Sequence, residues 1–202
     1  MDLETQRKWD GAVAGYDLMN GFGPERRWAP WKRRLFSAMD GNILFLAIGT
    51  GQDIQFFPPG QHITAIDISP RMLEQARPRA DRYDGALELR HLDVHDLDYP
   101  DATFDQVFTS CTFCSVPRPV DGLRRLARVL KPGGTIGMFE HTGSRFFPFG
   151  LMLDLMTPLT RRFGPELNRD TPANVQRAGF VNLSVEPVYL DVVKIIRARR
   201  PG

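Results

Sequence analysis

Cysteine is nearly absent: Cys111 and Cys114 are the only two in 202 residues. Two cysteines cannot build a disulfide framework, and such scarcity points to a reducing compartment. Long apolar runs are missing too. No stretch reaches the ~18 consecutive apolar residues that a membrane-crossing helix needs. The opening Met-Asp-Leu-Glu-Thr-Gln leads into no apolar signal core, so export is not expected. An excess of either sign of charge is missing as well. A formal net charge of +2 excludes a strongly basic nucleic-acid binder. No internal repeat, low-complexity tract or linker divides the chain. What is present is 42% hydrophobic against 25% charged, a balance that excludes a disordered tail. The expectation is a single domain over 1–202, long enough to bury roughly 70% of its unfolded surface.

Residues 1–40 are aromatic, basic and helix-like. They hold Trp9, Trp28 and Trp31 and the basic run Arg26, Arg27, Lys32, Arg33 and Arg34. Pro24 and Pro30 interrupt them, which predicts two or three short helices. The pattern then changes. Ile43–Ile48 is a short apolar run ended by Gly49-Thr50-Gly51, and it reads as a buried parallel strand. Further strands are expected at 62–68, 87–92, 104–111 and 135–141. Ser69-Pro70 opens a helix as N-cap and first helical residue. Val120, Leu123, Leu126, Ala127 and Leu130 share one face of another helix. This alternation predicts a Rossmann-like α/β fold, with a mostly parallel sheet covered on both faces. After residue 145 come an apolar helical stretch at 146–163, a short helix at 171–178 and two strands joined tightly at Pro187. With no room for a crossover helix, the last of seven strands is antiparallel. The expected layout is a helical cap over 1–40, a cofactor-binding core over 41–145, and acceptor-site helices with the final strand pair over 146–202.

In an open α/β sheet, ligands bind beyond the carboxyl ends of the strands. Gly49 and Gly51 lie there, and glycine lets backbone N–H groups come close to a ligand. The frame Ala47-Ile-Gly49-Thr-Gly51-Gln52 carries Gln where a dinucleotide fingerprint needs a third Gly or Ala. The loop, with Thr50 and Asp53, suits S-adenosylmethionine better, since that cofactor has no pyrophosphate. Asp67 ends the second strand, where a carboxylate can accept from both ribose hydroxyls. Asp93 ends the third, where it can accept from an adenine amine, with Val94 beside the ring.

The pieces FLAIGTGQD (45–53), AIDISPRMLEQA (65–76), LDVHDLDYPDATFDQV (92–107) and RLARVLKPGGTI (125–136) resemble the class I S-adenosylmethionine-dependent methyltransferases. They follow family order and spacing from 43 to 141. The resemblance implies an S-adenosylmethionine site that includes Ala47, Ile68, Met72 and Cys111 besides the loop and the two aspartates. S-adenosylhomocysteine would be the product, and no metal is implied. Two departures are visible: Phe45 replaces the usual acid, and Ala47 replaces the first loop glycine. Within the superfamily, CSVPRPVDGLRRLARVLKPGG (114–134), Glu140-His141, NRDT (168–171) and YLDVVKIIRARR (189–200) are similar to the small bacterial phosphatidylethanolamine N-methyltransferases. That likeness implies transfer of methyl groups to phosphatidylethanolamine and its mono- and dimethyl derivatives. The alternative is a small apolar thiol or quinone-like acceptor.

An amine acceptor must lose a proton, either to a general base or by desolvation that selects its neutral form. His141 is a candidate base or a histidine closing a strand. Glu140 either attracts a cationic amine or caps a turn. Tyr16, by resemblance, lies over the cofactor, where its ring would face the growing positive charge. Arg145, Asn168, Arg169 and Tyr189 are candidate acceptor contacts, arginine because its fork matches phosphate oxygens. Cys111 and Cys114 read as small pocket residues, since no further Cys or His cluster completes a metal site. Trp9, Trp28 and Trp31, the Arg26–Arg34 run and the apolar residues of 146–156 are expected to meet an anionic membrane surface. The expected protein is a cytoplasmic monomer, peripherally membrane-associated, without a nucleic-acid partner.

Overall fold

The computed structural model describes residues 1–21, 24–162 and 164–202, with the backbone alone for 17–21 and 24–26. The Arg26 side chain and Phe163 therefore lie outside the described residues. Two helices come first, α1 (Leu3–Gly21) and α2 (Pro24–Phe36). Pro24 opens α2, while Pro30 sits inside it without ending it. The alternating part runs β1 (Asn42–Leu46), β2 (His62–Asp67), α3 (Pro70–Ala80), β3 (Ala86–His91), β4 (Phe104–Ser110), α4 (Pro119–Val129) and β5 (Leu130–His141). It closes with α5 (Phe149–Thr160), α6 (Thr171–Arg177), β6 (Val181–Tyr189) and β7 (Val193–Arg199).

The seven strands form one sheet in the order β3-β2-β1-β4-β5-β7-β6. β1 to β5 pair in parallel, and β7 runs against both its neighbours. The antiparallel closing pair stands as expected, but its turn does not fall at Pro187. Pro187 pairs with Lys194 inside β6, and the turn lies at Leu190–Val192. β6 is the edge strand, where proline's missing N–H costs the sheet little. Pro132, Gly133 and Gly134 lie within β5 at a register shift between the pairs Phe104–Leu130 and Gln106–Thr135.

Each face of the sheet is covered. Leu44, Leu46, Ile66, Val107 and Met138 face Leu123 and Leu126 of α4 and Val175 of α6. Ile43, Phe45, Ile63 and Phe108 face Leu35 and Phe36 of α2 and Leu73 and Ala76 of α3. Successive β1 residues serve opposite faces, so the strand needs an unbroken apolar run rather than alternation. The acid-replacing Phe45 is fully buried in this second core, 4.9 Å from the Phe57 ring and 5.6 Å from Phe36 between centroids. The strand order reverses between β1 and β4, which places the ligand crevice at their carboxyl ends.

Candidate active site

A pocket lined mostly by apolar and small polar side chains opens there, at the place where such sheets bind small molecules. The tips of β1, β2, β3 and β4 line it, and Thr5, Trp9 and Tyr16 of α1 close it from above. Three contacts hold α1 down. The Ser69 hydroxyl donates to Asp10 at 2.5 Å, the Asp2 N–H donates to Asp93 at 2.8 Å, and the Met1 amino group meets Asp96. Ser69 is the N-cap of α3, accepting the Met72 N–H at 3.1 Å. The cap that starts the helix thus also anchors the lid.

Asp67 is buried at the end of β2. One carboxylate oxygen accepts the Gly49 N–H and the other the Ser69 N–H, each at 2.8 Å. Gly49 has φ +57°, and a side chain there would come within 3.8 Å of the Tyr16 ring. Burial pushes the Asp67 carboxyl up to about 6, against the pull of its two backbone donors. A carboxylate has about four acceptor sites, so two remain for a ligand. Ala47 and Cys111 also take positive φ, +57° and +52°. The backbone at the tips of β1 and β4 is therefore turned out of the strand path at a cost of order 1 kcal/mol each.

Asp93 lines the pocket and caps a short 3-10 turn, accepting the His95 N–H and meeting His95 Nδ1, each at 2.9 Å. Burial opposes its charge, but the His95 and Asp2 hydrogen bonds prevail and hold it well below the usual range. The same bond raises His95. Desolvation raises the Tyr16 phenol and the Cys111 thiol, so both keep their protons at neutral pH. A second cleft shares Tyr16, Ala47, Ser110 and Cys111 with the pocket and adds Lys32, Thr50, Gln52 and Asp53. In it Lys32 Nζ donates to Asp53 at 2.7 Å, with both side chains largely buried.

Of the residues expected to hold a cofactor, the pocket brings together Ala47, Gly49, Asp67, Ile68, Met72, Asp93, Val94 and Cys111, with Tyr16 above them. Thr50 and Asp53 line the second cleft instead. Gly51 has a packing role. A Cβ there would lie 2.9 Å from Ile54 and 3.1 Å from Ala76, so its absence lets the loop seat on α3.

The acceptor-side expectations fare differently, and among the described residues none beyond Pro117 lines the pocket. Glu140 lies behind the wall, fully buried. It accepts the Thr109 hydroxyl at 2.6 Å and the Thr112 and Phe113 N–H groups at 3.0 Å each. Burial pushes its carboxyl up to about 7, partly offset by those donors. It therefore fixes the loop after β4, which includes Cys111. His141 sits beside Val193 of β7, and desolvation, with Lys194 nearby, lowers its pKa. Arg169 pairs with Glu166 at 3.1 Å, and Glu166 donates its N–H to the Cys114 carbonyl, which pins the 164–169 segment to the pocket loop. Asn168 donates to Asp154 at 2.9 Å, and Arg145 is exposed ahead of α5. Tyr189 packs on Trp28, 5.9 Å away between centroids, and under the Arg27 guanidinium.

Sequence reasoning missed Lys32, which reads as one charge in a solvated basic run until the fold buries it. It also missed Trp9 as a pocket wall. Apart from that wall position, the tryptophans are not free for a membrane: Trp28 and Trp31 are partly buried against the core.

The donor set fits a nucleoside carrying a charged amino-acid tail. Asp67 keeps free acceptor sites for a diol, and Ile68, Leu92, Val94 and Val116 offer flat apolar walls for a base. Lys32 and Asp53 place one charge of each sign in the adjoining cleft. Among the described residues, no group of three His, Cys, Asp or Glu is placed to hold a metal ion.

Residues 44–138 match the family model described as a methyltransferase domain. The chain is similar to a phosphatidylethanolamine N-methyltransferase of Cereibacter sphaeroides, 33% identical over 146 residues and covering 70% of each chain. It is similar to the ubiquinone/menaquinone biosynthesis C-methyltransferase UbiE of Geotalea daltonii, 30% identical over 72% of this chain and 66% of that one. It is similar to the Homo sapiens thiol S-methyltransferase TMT1B, 29% identical over 77% of this chain and 69% of that one. A solved methyltransferase from Thermotoga maritima shares the fold, with TM-score 0.72 at 16% identity over 97% of this chain and 99% of that one. The fold, the pocket at the sheet's switch point and these likenesses agree: the chain belongs to the class I S-adenosylmethionine-dependent methyltransferases.

Proposed function

We propose that the protein methylates the amine of phosphatidylethanolamine and of its mono- and dimethyl derivatives at a membrane surface. The observation that carries this reading is the aromatic wall. Trp9 and Tyr16 both line the pocket, edge to face with centroids 6.2 Å apart. Aromatic faces attract a quaternary ammonium, the product of repeated N-methylation. The first relative described above supports the same acceptor.

Asp67 would hold the ribose hydroxyls of S-adenosylmethionine. Ile68, Met72, Asp93 and Val94 would hold its adenine, and Lys32 and Asp53 its amino-acid end. When bound, the cofactor supplies an electrophilic methyl group on a sulfonium. The remaining work belongs to the chain. α1 covers the pocket and excludes water, which favours the neutral amine over ammonium. Tyr16, protonated at neutral pH, gives a hydrogen bond and a ring face rather than a phenolate base. The walls fix the acceptor in line, the main source of rate in such a displacement.

Mass spectrometry of phosphatidylethanolamine vesicles incubated with the protein and methyl-labelled S-adenosylmethionine tests the acceptor. Labelled mono-, di- or trimethylated lipid is expected. Unlabelled lipid alongside normal S-adenosylhomocysteine binding contradicts the lipid reading. It favours the second reading, an apolar thiol or quinone-like acceptor, which the likeness to UbiE and TMT1B supports.

A further inference from the structure

α5 breaks the usual rule for a surface helix. Only Leu153 and Thr157 of it are buried. At 100° per residue, Leu151, Met152, Leu155, Pro158 and Leu159 share the opposite, outward face, where an ordinary amphipathic helix carries charge. Leu155 is 73% exposed and Leu159 60%. Phe146 and Phe147, just ahead of the helix, are 64% and 84% exposed. Asp154 is the helix's one charged residue, and it accepts a hydrogen bond from Asn168 on the flank.

The charges around this face are basic. Arg145 precedes it, and exposed Arg161 and Arg162 follow it. Arg161 lies 3.4 Å from Glu166 yet stays 73% exposed. Twelve residues give a helix of about 18 Å, too short for the roughly 30 Å hydrocarbon core. No described helix is long and apolar enough to cross a membrane. The segment after the helix also comes close to the pocket. Four residues beyond α5, a Cβ on Gly164 would lie 3.4 Å from the ring of Trp9, which lines the pocket.

We infer that α5 and the Phe146–Phe147 turn form a docking surface for an anionic lipid bilayer. The helix lies in the interfacial plane, its leucines among the acyl chains and its arginines at the phosphates. The arrangement sets the Trp9 rim of the pocket at the membrane surface. The occupant follows from the charges: arginines before and after the apolar face match the phosphates of an anionic bilayer. The inference concerns where the protein sits, and it holds for any membrane-borne acceptor.

Flotation with vesicles of phosphatidylcholine, with and without phosphatidylglycerol, tests it. The protein should bind vesicles containing phosphatidylglycerol and bind pure phosphatidylcholine more weakly. Leu155→Ser with Leu159→Ser should lower partitioning about tenfold or more, with melting temperature and S-adenosylhomocysteine affinity unchanged. Arg161→Glu with Arg162→Glu should remove the preference for phosphatidylglycerol. Equal partitioning of the leucine variant, or no binding to either vesicle, overturns the inference. So does a dimer seen by ultracentrifugation without lipid that the leucine variant abolishes, because the face would then belong to a second copy. Since no methyl transfer is measured, the result is separate from the acceptor test.

Discussion

Replacing Glu140 by alanine should loosen the loop behind the pocket without removing a group from it. The substitution strips an acceptor from the Thr112 and Phe113 N–H groups and from the Thr109 hydroxyl. The hydroxyl can rotate to another acceptor, but the two amides cannot. Each buried donor left unsatisfied costs about 1–3 kcal/mol, so the loss should be about 2–6 kcal/mol. Glu140→Gln keeps an acceptor oxygen for the amides and should stay within about 1 kcal/mol of the native protein at pH 8. The pH dependence separates the cases further. Burial raises this carboxyl from 4.5 to about 7 in the folded state. Between those values the unfolded chain has lost the proton that the folded chain keeps, so stability falls as pH rises. The fall should be about 3 kcal/mol, and Glu140→Gln should abolish that share. Asp67, also raised, acts in the same direction in both proteins and cancels in the difference. Urea unfolding at pH 5 and pH 8, followed by tryptophan fluorescence, measures both quantities. An alanine variant within 1 kcal/mol of native would refute the loop-holding role. A stable glutamine variant with transfer lost by about a thousandfold would show that Glu140 moves a proton in the reaction.

Two other consequences can be measured. Lys32→Met leaves Asp53 buried without its lysine and should destabilise the protein by about 3–5 kcal/mol. Replacing both members, Lys32→Met with Asp53→Leu, should recover most of that loss in the same urea titration. Because the Asp67 carboxyl is pushed up to about 6, S-adenosylhomocysteine affinity should fall as pH drops through 6 and level off above it. Calorimetric titrations from pH 5 to pH 8 check this, and affinity that is flat across the range would contradict it.

The parallel strands were legible because a strand buried on both faces must be apolar throughout, as Ile43 to Ile48 is. The Ser69-Pro70 helix start was legible because its N-cap chemistry is local, and the structure shows that cap formed. Asp67 was legible as a site candidate from its place at a strand end. What stayed hidden are contacts made at long range. Lys32 and Asp53 are 21 positions apart, and nothing local says that one leaves the basic run to meet the other in a buried cleft. Glu140 keeps two readings in the sequence, attracting a cationic amine or capping a turn, because its three donors belong to another strand and the loop after it. Gly51 reads from the sequence as a loop glycine beside a ligand, and only the fold shows that it also seats the loop against Ala76. Pro187 looked like a turn because the chain does not announce which strand will be the sheet's edge.

We propose that the pocket at the tips of β1, β2, β3 and β4 takes the nucleoside cofactor through Asp67. Isothermal titration with S-adenosylhomocysteine, comparing native protein with Asp67→Ala and monitoring folding by thermal denaturation, tests it most directly. One site is expected, weakened by about 1–3 kcal/mol in a variant that still folds. Undiminished affinity in that variant would contradict the assignment and move the cofactor elsewhere.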